Sequence, residues 1–173
     1  MIKEGEFQIS NFKFQIPKGF TLIELLVVIS VIGMLATFLL ASFRSTQQRA
    51  RDSQRKSDLK EVKTALALYY SDYGYFPANN GNGEILGCGG SGTSACAWGG
   101  QWCAGGAGCS RVYMNILPID PINAASNTYR YTKVSDDSFT ITALLENSND
   151  TDATKSQSRC ASGSGLTYVA CQD

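Results

Sequence analysis

Lys18-Gly19-Phe20-Thr21-Leu22-Ile23-Glu24-Leu25-Leu26-Val27-Val28-Ile29 opens the one strongly apolar stretch of this 173-residue chain. From Phe20 to Phe43 only Thr21, Glu24, Ser30, Gly33, Thr37 and Ser42 interrupt it, so 18 of 24 positions are apolar. As a helix rising about 1.5 Å per residue, the stretch reaches ~36 Å, enough for a hydrocarbon core of ~30 Å. A secretory signal would hold only ~7–15 apolar residues and end at a small-residue cleavage site. A buried core helix would need more apolar surface than the rest of the chain offers to wrap it. The sequence therefore predicts a membrane-inserted helix over 20–43. Glu24 is out of place in a plain anchor, because an acidic group costs ~2.5–3.5 kcal/mol at mid-membrane on insertion scales.

Working outward, the helical pattern runs on without proline or glycine from Arg44 to Tyr73. Leu59, Val62, Leu66, Tyr69 and Tyr73 recur at three and four residues, the stripe of an amphipathic helix. The two halves predict one helix of about 50 residues, ending at the breaker Tyr73-Gly74-Tyr75-Phe76-Pro77. Between Arg44 and Lys63, seven basic residues stand against three acidic ones, a pattern expected of a solvated face, with lipid headgroups or a neighbouring subunit as the alternative partner.

The remaining composition excludes more than it selects. Lysine plus arginine (15) balances aspartate plus glutamate (15), so no global field draws the chain to nucleic acid. Histidine is absent, which removes the commonest general base and metal ligand. No G-x-S-x-G elbow or phosphate loop occurs, and the chain does not read as an enzyme or as a cofactor protein. Five basic residues directly after the span (Arg44, Arg49, Arg51, Arg55, Lys56) would hold that side in the cytoplasm. Six cysteines without a C-x-x-C argue for an oxidising compartment, and long domains cross membranes largely regardless of charge. We read residues 44–173 as an exported domain.

Within it, residues 78–110 hold 11 of the 17 glycines, four cysteines (Cys88, Cys96, Cys103, Cys109) and both tryptophans. So glycine-rich a segment is expected to bury no core and to rely on disulfides to offset its ordering entropy. Trp98 and Trp102 either form an exposed contact surface or pack the loop onto the helix. Tyr129–Val134, Ser135–Ser138 and Phe139–Leu145 read as a β-hairpin, and Leu166–Ala170 as a third strand. The fold class is α+β, a long helix backed by a small antiparallel sheet over 129–170.

The junction Lys18-Gly19-Phe20-Thr21-Leu22-Ile23-Glu24 resembles the amino terminus of type IV prepilins and of the pseudopilins of type II secretion systems. The resemblance is close over 18–76. It is looser over 111–147, where Leu117-Pro118-Ile119-Asp120-Pro121 and Tyr129-x-Tyr131 carry it and the cysteine-rich insertion departs from it. It implies that residues 1–19 are a leader cut off after Gly19 by a prepilin peptidase, that the new terminus Phe20 is N-methylated, and that Glu24 serves assembly. It further implies a single-pass precursor in the bacterial inner membrane, then an extracytoplasmic filament or surface structure, with copies of itself and related pilins, an assembly platform and membrane lipid as partners. A disulfide between Cys160 and Cys171 would match the carboxyl-terminal loop of many pilins. In the secretion relatives a loop after the hairpin binds calcium. Here Asn147–Asp152 takes its place, with only Asp150 and Asp152 as carboxylates where calcium takes six to eight oxygens. Many relatives carry a proline late in the apolar segment, whereas this one has only Gly33 as a breaker.

Glu24 has a physical reading of its own. After cleavage it lies about 6 Å along the helix from the Phe20 amine. The two can pair within one helix or between staggered helices, and the second arrangement would register a new subunit. The leading function is thus a structural filament subunit, of a type IV pilus or a type II secretion pseudopilus. The alternative is a membrane-anchored surface binding or adhesion module that uses the cysteine-rich loop.

Overall fold

The computed structural model describes residues 19–105, 109–124 and 129–172, and for 38–42 the backbone only. The leader reading of residues 1–18 lies outside the described residues. The chain divides into two compact units, Met1–Ala41 and Ser42–Asp173.

Helix α1 runs Leu22–Tyr73, 52 residues, the length expected from the unbroken pattern. Its last turn closes where Gly74 takes φ 75° and its N–H donates to the Tyr70 carbonyl at 2.8 Å. A side chain is strained in that left-handed conformation, so the glycine sets the helix end. Among the described residues no helix is long and apolar enough to cross a membrane. Glu24, Ser30, Gly33 and Thr37 dilute the described part of the apolar stretch, and its remainder runs through residues 38–42.

In the second unit most of the stripe of α1 is buried, Leu59, Val62, Leu66 and Tyr69 entering the core together with Ala65, whereas Tyr73 at its end is exposed. Against it stands the antiparallel sheet β6 (Arg130–Lys133), β7 (Phe139–Leu144) and β8 (Thr167–Cys171), with β7 central. The register pairs Tyr131 with Ile141 and Lys133 with Phe139 across the hairpin. Alternation sends Tyr131, Phe139, Ile141 and Ala143 inward and Arg130 and Thr132 outward. The hairpin and third strand thus lie within a residue or two of their predicted bounds.

The cysteine-rich segment corrects one expectation. Rather than a coreless loop, it forms short strands β1 (Ala78–Asn79), β2 (Ile85–Cys88), β3 (Ser94–Cys96) and β4 (Trp102–Ala104), the last paired with β5 (Arg111–Met114). Ile85, Cys88, Cys96, Trp102 and Ala104 join the hydrophobic core. Isolated apolar residues spaced between tight turns suffice for this. Gly83 shows what the turns require, since with φ 78° an added Cβ would stand 2.9 Å from Arg130 Cβ. The disulfides are Cys88–Cys96, Cys103–Cys109 and Cys160–Cys171.

One element was not foreseen. Helix α2, Thr151–Cys160, lies where a loop was expected, capped by Asp150, whose side chain accepts from the Asp152 N–H. It packs on β8 through buried Ala153 and Ser156, and Ser156 Oγ accepts from the Val169 N–H at 3.0 Å.

Candidate functional site

The first turn of α1 is built by two side chains three residues apart. Glu24 Oε2 accepts from both the N–H and the hydroxyl of Thr21, each at 2.8 Å, while the Glu24 N–H donates to Thr21 Oγ1 at 3.3 Å. This reciprocal T-x-x-E arrangement is a capping box, which satisfies donors that a helix start leaves unpaired. Reading Glu24 as a costly charge in an apolar span and as a partner for the Phe20 amine overlooked it, although Thr21-x-x-Glu24 ahead of an apolar run is its sequence signature. The box aims the carboxylate at the helix start, beside residue 20.

Apart from Thr21, the residues around that carboxylate are apolar and exposed. Phe20 is 89% exposed, and Leu22, Ile23, Leu25, Leu26, Val27 and Val28 are all at least half exposed. A shallow depression of about 320 Å³ is lined by Phe20, Ile23, Glu24, Val27 and Val28, so Glu24 is its one charged group. So large an exposed apolar surface marks an interaction site rather than a finished surface. Gly19, the expected cleavage position, is exposed, and a Cβ there would meet nothing within 4 Å.

The second unit holds a charge cluster that the sequence reading assigned to a solvated face. Arg55 is fully buried and donates to Asp120 through Nε (2.6 Å) and Nη2 (3.0 Å), and through Nη1 to Asp52 (2.8 Å) and Glu146 (2.7 Å). Arg51 adds a two-pronged bond to Glu146. Asp52 also accepts from the Glu146 and Asn147 N–H groups, and Asp120 from that of Ile122. Burial opposes the Arg55 charge, but hydrogen bonds to three carboxylates outweigh it and raise its pKa. Those same arginines, the bond from Arg51 foremost, hold the Glu146 carboxyl down to about 2. The cluster ties α1 to the stretch before β6 and to the end of β7.

The calcium reading of Asp150 and Asp152 does not fit. Lys56 Nζ stands between them, 2.6 Å from Asp150 and 2.7 Å from Asp152, where a cation would sit. Asp150 is also the cap of α2. Among the described residues no group of three or more Asp, Glu, Cys or His side chains could hold a metal. Of the two tryptophans, Trp102 is buried and stacked on Tyr69 at 5.6 Å, and Trp98 meets Tyr129 edge-on at 5.6 Å, so both pack the loop.

A capped helix start, an exposed apolar run with one carboxylate, and a disulfide-bonded α+β unit together define a pilin-like protein. Residues 17–40 match the family described as the prokaryotic N-terminal methylation motif. Fimbrial protein EcpC of Eikenella corrodens is 42% identical over 66 residues, 38% of this chain and 43% of that protein. Type IV major pilin protein PilE1 of Neisseria gonorrhoeae is 38% identical over 65 residues, 38% of this chain and 30% of the relative. For type IV major pilin protein PilA of Myxococcus xanthus the figures are 40% over 55 residues, 32% and 25%. In this amino-terminal region the chain carries the methylation motif and is similar to type IV pilins. Its similarity spans less than half the length of these relatives, and no solved structure matches it.

Proposed function

We propose that the chain is a structural subunit of a type IV pilus, made as a single-pass inner-membrane precursor through residues 20–43. A prepilin peptidase would remove residues 1–19 after Gly19 and methylate Phe20. Copies of the chain and of related pilins would then be drawn from lipid by the assembly platform into an extracytoplasmic filament. The supporting observation is Glu24, a carboxylate held at the start of an exposed apolar helix by Thr21. Cleavage creates an amine at Phe20 beside it. In an apolar surrounding, pairing with a neighbour's amine fixes one axial position, whereas a purely apolar stripe can slide. A role in a type II secretion pseudopilus uses the same parts.

The experiment is Glu24→Gln, which keeps the shape and removes the charge. We expect leader cleavage and membrane levels like wild type, with intact mass showing loss of residues 1–19 and a methylated Phe20. Sheared filaments should fall by at least about tenfold, the worth of one ion pair lost from apolar surroundings. Wild-type filament yield from both Glu24→Gln and Glu24→Ala would refute the registration role and favour a plain anchor bearing a surface binding module.

A further inference from the structure

The cysteine-rich insertion, which filament assembly leaves without a task, borders two adjoining clefts. The first, about 110 Å³, is lined by Tyr69, Tyr73, Tyr75 and the turn Gly90-Ser91-Gly92. The second, about 260 Å³, is lined by Asp72, Tyr73, Ser110, Arg111 and Tyr113. Tyr73 and Gly105 belong to both. The disulfide Cys88–Cys96 closes the loop that carries the first rim, and Cys103–Cys109 brackets Gly105. Among the described aromatic residues after Phe43, only Tyr73 and Tyr75 are exposed, at 39% and 43%. Their ring centroids stand 6.1 Å apart, and Tyr73 is backed by buried Tyr69 at 4.4 Å.

We propose that these clefts form a binding site for a neutral saccharide, a disaccharide spanning the two with Tyr73 at the junction. A pyranose ring offers a face of C–H groups and an edge of hydroxyls, so it needs an aromatic surface beside a polar rim. Tyr73 and Tyr75 supply the surface. The glycine-flanked turn places the Ser91 hydroxyl, itself paired with Thr93 Oγ1 at 2.8 Å, on the rim of one cleft, and the Arg111 fork serves the other. Two of the five N–H donors of Arg111 go to Asp72, at 2.7 and 2.5 Å. That ion pair, to which the Tyr113 hydroxyl adds a 2.8 Å bond on Asp72, cancels the field that would select an acidic sugar or a phosphate. Concavity with a few fixed polar groups on an apolar floor is the usual form of a small-ligand site. The proposal does not rest on the filament reading.

The test uses the full chain in dodecylphosphocholine, a detergent without a sugar headgroup, with cellobiose and N,N′-diacetylchitobiose as probes and 3′-sialyllactose as the acidic comparison. Saturation-transfer NMR should show contact at the C–H protons of a neutral disaccharide, with a Kd of about millimolar order. Tyr73→Ala should weaken binding about five- to tenfold, as loss of one aromatic contact does, and Tyr73→Phe should retain it. Ser91→Trp, at an exposed rim position away from the core, should block binding, with the melting temperature and disulfide map unchanged. The site is refuted if neither neutral disaccharide gives transfer at about 20 mM. Unchanged affinity in Tyr73→Ala and Ser91→Trp would equally refute it, and preference for sialyllactose would overturn the neutral class.

Discussion

The two units of this chain satisfy their side chains in opposite ways. In residues 19–37 the apolar side chains face outward and, among the described residues, the one carboxylate is bonded only to its own helix turn. In the second unit an arginine is fully buried with three carboxylates around it while the apolar stripe is covered by sheet. A region that leaves its apolar surface bare is completed by something outside itself, whereas a region that buries paired charge is already complete. The folding and the assembly of this protein should therefore be separable by mutation, and each variant below can break that separation.

The largest effect is expected from Arg55→Ala. It leaves Asp52, Asp120 and Glu146 facing one another without their common partner, and breaking a buried pair in this way costs ~3–5 kcal/mol. A thermal or urea melt of the full chain should show the loss. A wild-type melt would mean that the buried cluster does not hold the second unit together. Removing Cys160–Cys171 by the double change Cys160→Ala with Cys171→Ala should cost about 2–3 kcal/mol, the loop-closure entropy of a gap this size. Denaturant midpoints, with the slope checked for constancy, would measure it.

The next effect is set by pH. Glu146 has its folded-state pKa depressed from 4.5 to about 2, so its contribution is fully present above pH 4.5 and drains as the pH falls toward about 2. Melting temperature followed across that window should drop, and Glu146→Gln should flatten this part of the slope at the cost of lower stability near neutrality. An equally steep fall in the variant would assign the acid sensitivity to other groups. The smallest effect is that of Thr21→Val, which removes the hydroxyl from the capping box and costs about 1 kcal/mol at the helix start. We expect faster amide exchange at residues 22–25, a partial fall in filament yield, and no change in the melt of the second unit. A changed melt would erase the separation between the units.

How much of this was legible beforehand follows from how far apart the interacting residues lie. The end of α1, the hairpin and the third strand rest on local signals: Gly74, the alternation of Tyr129 and Tyr131, and four turn residues at 135–138. The Arg55 cluster was not legible, because two of its three partners stand 65 and 91 residues away and the local Asp52–Arg55 pair looks the same on a solvated face. Helix α2 was missed for want of apolar periodicity, since Thr-Asp-Ala-Thr-Lys-Ser-Gln-Ser-Arg-Cys turns only Ala153 and Ser156 inward. At the candidate site, Glu24 stood out by its cost in an apolar run, while Thr21, its partner, looked like an ordinary interruption. The clefts beside Tyr73 needed the insertion folded against the end of α1 before they existed at all.

Arg51, Arg55 and Lys56 sit within little more than one turn of α1 and reach Asp120, Glu146, Asp150 and Asp152 in three separate parts of the chain. A pull applied along α1 would therefore load these bonds side by side, in shear, instead of peeling them one after another. Bonds loaded in parallel share tension and yield together. The charge cluster is thus a rivet within the second unit, fastening little more than one turn of α1 to three distant stretches of the chain at once.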